Sequence, residues 1–226
     1  MNFPAILNIL GHVIKYELLL LLIPFAVALF YGQGDASAFL YTILIMLPIS
    51  IILTRVKGKK KEIYAKEGFL TVGLAWIVIS FFGALPFVFN GAIPSFIDAF
   101  FETSSGFTTT GASILTEIQS LPKGILFWRS FTHWVGGMGF LIFILALMPT
   151  FSGNTIHLLK AESPGPTPGK IVPKIKQTAK ILYAIYFVLT LIETIFLKSA
   201  GLSWYDSIIH ALGTAGTGGF SNMNAS

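Results

Sequence analysis

Residues 95–113, SFIDAFFETSSGFTTTGAS, return without a gap at 203–221 as SWYDSIIHALGTAGTGGFS. Ser95/Ser203, Asp98/Asp206, Thr109/Thr217, Gly111/Gly219 and Ser113/Ser221 coincide. Each copy opens on Ser-x-x-Asp, a hydroxyl at the N-cap followed by an acid at N3, which starts a helix. Ser95, Asp98, Ser203 and Asp206 are therefore the expected caps of two short helices. Each helix runs into a Thr/Gly-rich stretch that forms helix poorly. At ~1.5 Å per residue it is roughly 17 Å long, about half of a bilayer core. Each copy also follows an apolar segment of span length.

Half a helix followed by irregular backbone at membrane depth is costly in lipid, because its N–H and C=O groups find no water. Such backbone survives only when buried in protein or lining a wet cavity. Carbonyls bared to that cavity suit a dehydrated cation. Composition puts the chain in a membrane: 54% of residues are apolar and only 11% charged, with mean hydropathy +0.77. A soluble domain carries about twice that charge. Without cysteine, a disulfide frame and a thiolate metal site are both excluded. The net charge of +5 does not point to nucleic acid, since the basic residues lie in loops between apolar spans, where anionic lipid explains them.

Five spans are expected, at about 13–31, 39–53, 68–89, 126–148 and 178–198. Pro24 should bend the first. The basic run from Arg55 to Lys66 and the Pro/Gly-rich connector from Pro149 to Gln177, with Lys160, Lys170, Lys174 and Lys176, hold or adjoin most of the Lys and Arg. By the positive-inside rule both are cytoplasmic, and so is the N-terminus. The connector reads as a stiff linker or as a docking surface for a soluble partner. Trp128, Arg129 and Trp134 are expected near the outer interface. Gly136, Gly137 and Gly139 suit close helix packing or a hinge.

The polar chemistry centres on two runs, Thr109-Thr110-Gly111-Ala112-Ser113 and Thr217-Gly218-Gly219-Phe220-Ser221. Glycine at the third position reaches φ > 0 at low cost and lets neighbouring carbonyls turn toward one axis. The helix before each run aims its negative C-terminal end at the same place, which favours a cation. Hydroxyls at 108–110 and 217 can add oxygens. The expected ion-binding set is thus Thr108, Thr109, Thr110, Gly111, Gly216, Thr217, Gly218 and Gly219, and because the two runs are comparable to the Thr-Val-Gly-Tyr-Gly run of K⁺-selective filters, K⁺ is the expected ion. No carboxylate lies in either run, which argues against a divalent cation.

SSGFTTTGAS (104–113), FWRSFTHWVGGMGFLIF (127–143), ESPGPTPGKIVPKIKQTAKILYAIY (162–186) and DSIIHALGTAGTGGFSNMNAS (206–226) resemble the Trk/Ktr/HKT superfamily of K⁺ uptake proteins, and within it the TrkH-type membrane subunit. The resemblance covers essentially the whole chain. It implies an all-α integral membrane fold of an initial helix pair plus K⁺-channel-like helix–pore-helix–helix repeats. The corresponding division is 1–66 for the helix pair and basic loop and 67–150 for the first pore repeat. The connector then takes 151–176, and a second repeat lacking its last helix takes 177–226. The resemblance further implies one key filter glycine per repeat, here Gly111 and Gly219, and residence in the bacterial cytoplasmic membrane. A ring of cytosolic nucleotide-binding subunits and a homodimer of the full-length protein are the implied partners. The family has four repeats, so this chain is expected to be a fragment of a longer protein. An Na⁺-permeable or Na⁺-coupled transporter and a non-conducting structural fragment are the alternatives. The filter glycines weigh against an Na⁺ uniporter.

The remaining polar residues have plainer expectations. Glu102 and His210 occupy equivalent positions and should anchor the two short helices. Glu193 should reach the interface or Arg129. His12, His133 and His157 are scattered without partners, so metal binding is not expected. No Ser/His or paired-acid constellation shares a face, so the chain is not expected to be an enzyme.

Overall fold

The computed structural model describes residues 1–56, 65–139 and 172–224. Among these the chain is all-helical, with α1 at Phe3–Tyr31, α2 at Ala36–Thr54, α3 at Ala65–Asn90 and α4 at Phe96–Phe107. Then come α5 at Lys123–Gly137, α6 at Val172–Ser199 and α7 at Trp204–Ala215. Among the described residues four helices are long and apolar enough to cross a membrane: α1, α2, and the segments 66–90 of α3 and 179–199 of α6. The basic residues at 57–64 and residues 149–171 of the connector lie outside the described residues, and the rest of the connector opens α6, which starts at Val172 rather than near 178.

The first helix starts ten residues before its expected edge. Asn2 caps it by accepting the Ala5 amide, with a proline in the first turn, where a missing N–H costs nothing. At its far end Gly32, at φ 61, returns its amide to the Ala28 carbonyl. The resulting four-residue turn sends α2 back along α1. Packing is closest at Gly11, where a Cβ would stand 2.6 Å from the Thr54 amide nitrogen. Asn8 Nδ2 donates to the Thr54 and Val56 carbonyls at 2.7 and 3.2 Å, answering the unpaired end of α2.

The fifth helix departs most from expectation. It begins at Lys123 rather than near 126 and stops at Gly137, with Met138 in a turn and Gly139 at φ 67. The expected span to Met148 is therefore not one helix. Three glycines in four residues weaken it, and the Gly139 amide turns back to the Gly136 carbonyl at 2.8 Å. Residues 140–148 lie outside the described residues. Trp128 and Arg129, expected near the outer interface, are turned into the protein interior. They are 0% and 2% exposed, with Trp128 Nε1 donating to the Gly83 carbonyl at 2.8 Å.

The N-cap of α5 is Pro122, which offers no side-chain bond. Its free amides are met from the α1–α2 turn instead. Gln33 Oε1 accepts from Lys123 N at 2.7 Å, and Asp35 Oδ2 from Ile125 N at 3.2 Å. Asp35 is fully buried, so Asp35→Ala in the full-length protein is expected to cost about 1–2 kcal/mol, the upper range for a lost cap. Thermal unfolding in detergent checks this, with Asp35→Asn closer to the unsubstituted protein.

Candidate ion-binding site

The two short helices are built alike. Ser95 Oγ accepts the Asp98 amide at 3.4 Å, and Ser203 Oγ accepts the Asp206 amide at 3.1 Å, as Ser-x-x-Asp foretells. Each is twelve residues long.

Their C-termini match bond for bond. The amides of Thr108 and Gly216 reach Ser104 and Leu212 at 2.9 and 3.1 Å. Those of Thr109 and Thr217 reach Gly106 and Thr214 at 3.1 and 2.8 Å. Those of Thr110 and Gly218 reach back to Ser105 and Gly213 at 2.9 and 3.2 Å. The last two pairs are the double closure of a Schellman motif. Its left-handed residue is usually glycine, yet here it is Thr109 at φ 55 and Thr217 at φ 57. A left-handed turn costs a residue with a Cβ about 1–2 kcal/mol, and such strain gathers at functional sites. Gly111 and Gly219 follow at φ 77 and 82, so the sign of φ alternates through both runs. Backbone of alternating hand gathers successive N–H groups to one side and leaves the carbonyls to the other.

The two runs also touch. A Cβ on Gly111 would fall on the Gly218 carbonyl oxygen and stand 3.2 Å from its carbon. Around Gly219 the space is open within this chain. Thr108, Thr110, Thr217 and Gly219 are exposed, whereas Gly216 is buried and Gly218 half-buried. The Thr108 hydroxyl donates to the Ser104 carbonyl at 2.7 Å. Its single proton is thereby used, so Thr110 Oγ1 donates to it at 2.8 Å.

Behind the runs stands one face of α5. Arg129, His133, Gly136 and Gly137 follow the i, i+4, i+7, i+8 spacing of a helix stripe. A Cβ on Gly136 would fall on the Phe107 carbonyl, and one on Gly137 would stand 2.7 Å from the Gly216 Cα and 2.8 Å from the Tyr186 hydroxyl. The expected close approach of these glycines is thus what α5 uses to hold both short helices. His133 Nδ1 lies 2.7 Å from the Gly106 carbonyl, which makes that nitrogen the donor. The ring stacks on Phe220 at 3.9 Å, and its Cδ2–Nε2 edge lies against Gly218.

Arg129 ties the two outgoing legs together. Its Nε donates to Glu102 Oε1 at 2.6 Å and its Nη1 to the Ser221 carbonyl at 2.8 Å, while the guanidinium lies 3.6 Å over the Phe220 ring. Glu102 also accepts the Ser113 hydroxyl at 3.0 Å and the Ile114 amide at 2.9 Å. Glu102 is an anchor, as expected. His210 is not: it is half-buried and makes no side-chain hydrogen bond among the described residues. In its place Asp206 Oδ1 holds Asn222 Nδ2 at 2.6 Å. Arg129 pairs with Glu102 rather than Glu193.

A sequence profile of TrkH, described as a cation transport protein, matches residues 37–226. The chain belongs to the TrkH family. It is 41% identical over 229 residues to the Trk system potassium uptake protein TrkH of Escherichia coli, a match covering 100% of this chain and 47% of that protein. It is 33% identical over 225 residues to an uncharacterised cation transporter of Methanocaldococcus jannaschii, covering 100% of the chain and 47% of the relative. The crystal structure of the potassium transporter TrkH from Vibrio parahaemolyticus superposes with a TM-score of 0.83 at 34% identity, covering 100% of this chain and 46% of that one. The chain thus spans about half the length of the TrkH relatives it matches.

His133, Phe220 and the Arg129–Glu102 link are what sequence reading missed in this TrkH-family chain. The stripe of Arg129, His133, Gly136 and Gly137 was the available signal, hidden by reading α5 as a plain span.

Proposed function

We propose that this chain forms part of the K⁺ pathway of a TrkH-type transporter, conducting the ion past backbone carbonyls at 108–111 and 216–219. One observation carries the reading. Two helices of half-bilayer length end in the same Schellman closure with the same alternating φ, and the two runs meet at Gly111 and Gly218. Carbonyls gathered in this way replace the hydration shell of a monovalent cation. Both helix C-termini add negative potential at the same point. The Thr109 and Thr217 strain holds the backbone in a conformation that only a surrounding scaffold preserves, and α5 supplies that scaffold.

On this reading 67–150 and 177–226 are successive pore repeats, 1–66 is an initial helix pair, and 151–176 is a cytoplasmic connector. The protein resides in the cytoplasmic membrane with its N-terminus inside. Its inner face meets a cytosolic nucleotide-binding regulatory subunit, and the full-length protein is a homodimer in the bilayer. The function is tested in bacteria lacking K⁺ uptake. The full-length protein is expected to restore growth at low K⁺ but not to be replaceable by added Na⁺. Absence of rescue from a protein shown to reach the membrane would refute the reading.

A further inference from the structure

Glu17 is a buried acid that the filter does not use. It lies within α1 and is 1% exposed, and neither carboxylate oxygen has a hydrogen-bond partner among the described residues. A bare carboxylate in a membrane span is costly, and an acid there is a functional suspect. Its position is specific. A side chain added at Gly83 of α3 would stand 3.3 Å from Glu17 Oε1, 2.7 Å from Thr103 Cγ2 and 3.0 Å from the Phe107 ring. Glu17, α3 and the last turn of the first short helix therefore converge on one point, and Thr108 begins the filter one residue after Phe107.

The surroundings say what Glu17 holds. An alkali or divalent cation needs several oxygen ligands, but a methyl group and an aromatic ring converge on this point with it. The charged groups of the packed elements are engaged elsewhere. Arg129 is on Glu102 and Ser221, and His133 is on Gly106 and Phe220. Glu67 takes the Asn2 amide. The Lys123 ammonium is over Tyr31 and Tyr205. Asp98 lies at the far end of α4, α2 offers only the exposed Tyr41, and on α1 itself Lys15 is exposed and His12 half-buried. One proton, taken from water, neutralises the carboxylate and needs no further ligand.

We propose that Glu17 is a proton-binding site behind the first filter helix, and that K⁺ passes only while it is protonated. Loss of the proton leaves an anion at the Gly83 backbone, beside the turn that carries Phe107; that packing must open to hydrate it, and the filter moves with Phe107. The conduction clause rests on the K⁺ reading above; the proton site does not.

The test uses the full-length protein in lipid vesicles, with Glu17→Gln as the permanently neutral form. Infrared difference spectra across a pH titration should show a protonated-carboxyl carbonyl band that Glu17→Gln lacks. K⁺ flux should fall about tenfold per pH unit above the titration point, the limit for one proton, whereas Glu17→Gln should stay flat. A band unchanged by the substitution, a titration displaced by Na⁺ at fixed pH, or superimposable flux profiles would each overturn the proposal. Should Glu17→Gln fail to fold, dicyclohexylcarbodiimide replaces it. That reagent attacks protonated buried carboxyls and should modify Glu17 of the unsubstituted protein on the acid side only; no modification at any pH would overturn the site. Vesicles without K⁺ flux would count against the function alone, since the infrared band still decides the site.

Discussion

In the full-length protein, Gly111→Ser is expected to cut K⁺ uptake by roughly 1.5 to 3.5 decades and to erode discrimination against Na⁺. Two costs combine. Gly111 sits at φ 77, where a residue with a Cβ loses about 1–2 kcal/mol. The new Cβ also falls on the Gly218 carbonyl oxygen, and overpacking of this kind costs ~1–3 kcal/mol. Neither neighbour is a flexible side chain, so the backbone of the second run must shift. At ~1.4 kcal/mol per factor of ten, the total corresponds to the stated loss if the displaced carbonyl is an ion ligand. Gly219→Ser is the internal control. It bears similar backbone strain at φ 82 but meets open space within this chain, so its loss should be smaller. Paired K⁺ and Na⁺ influx measurements decide the matter. Unchanged selectivity in both variants would remove these loops from the ion path.

The second large effect is expected at the Glu102–Arg129 pair. Both side chains are almost wholly buried, so Arg129→Met alone leaves an uncompensated carboxylate, at about 3–5 kcal/mol. Glu102→Gln keeps the shape but strands the guanidinium, and should lose a similar amount. Replacing both by apolar residues removes the stranded charge and should recover most of that stability. Recovery of stability is not expected to bring back selectivity. Glu102 holds Ser113 and Ile114 while Arg129 holds Ser221, so the pair sets the spacing of two legs that no backbone bond joins. A double-mutant cycle on unfolding temperature, run beside Na⁺ influx, separates the roles. Additive single effects would mean that the pair does not act as a unit.

The features legible in the sequence are local ones. Ser95 and Ser203 announce their helices because an N-cap is decided within four residues. Gly111 and Gly219 announce left-handed backbone because few other residues tolerate it. The long spans are visible because lipid selects twenty apolar residues in a row. What escaped depends on distance in the chain. Arg129 and Trp128 looked like interface anchors, yet their partners at 102, 221 and 83 bury them. Thr109 and Thr217 were expected to supply hydroxyls, and the finding is that they take the left-handed position themselves, against their own preference. The end of α5 at Gly137 was hidden because hydropathy does not register the pressure of Phe107 and Gly216 against two glycines. Glu17 passed unnoticed because one acid barely lowers the mean of a long apolar helix.

The bond from Asp35 to the start of α5 bears on how the protein is made. Domains and hairpins emerging first from the ribosome fold first, so the turn between α1 and α2 is in place before Lys123 and Ile125 are translated. Those amides then find acceptors already waiting in Gln33 and Asp35. The amino-terminal hairpin thus serves the later helices as a template, and inserting it upside down would leave the start of α5 with nothing to lock onto.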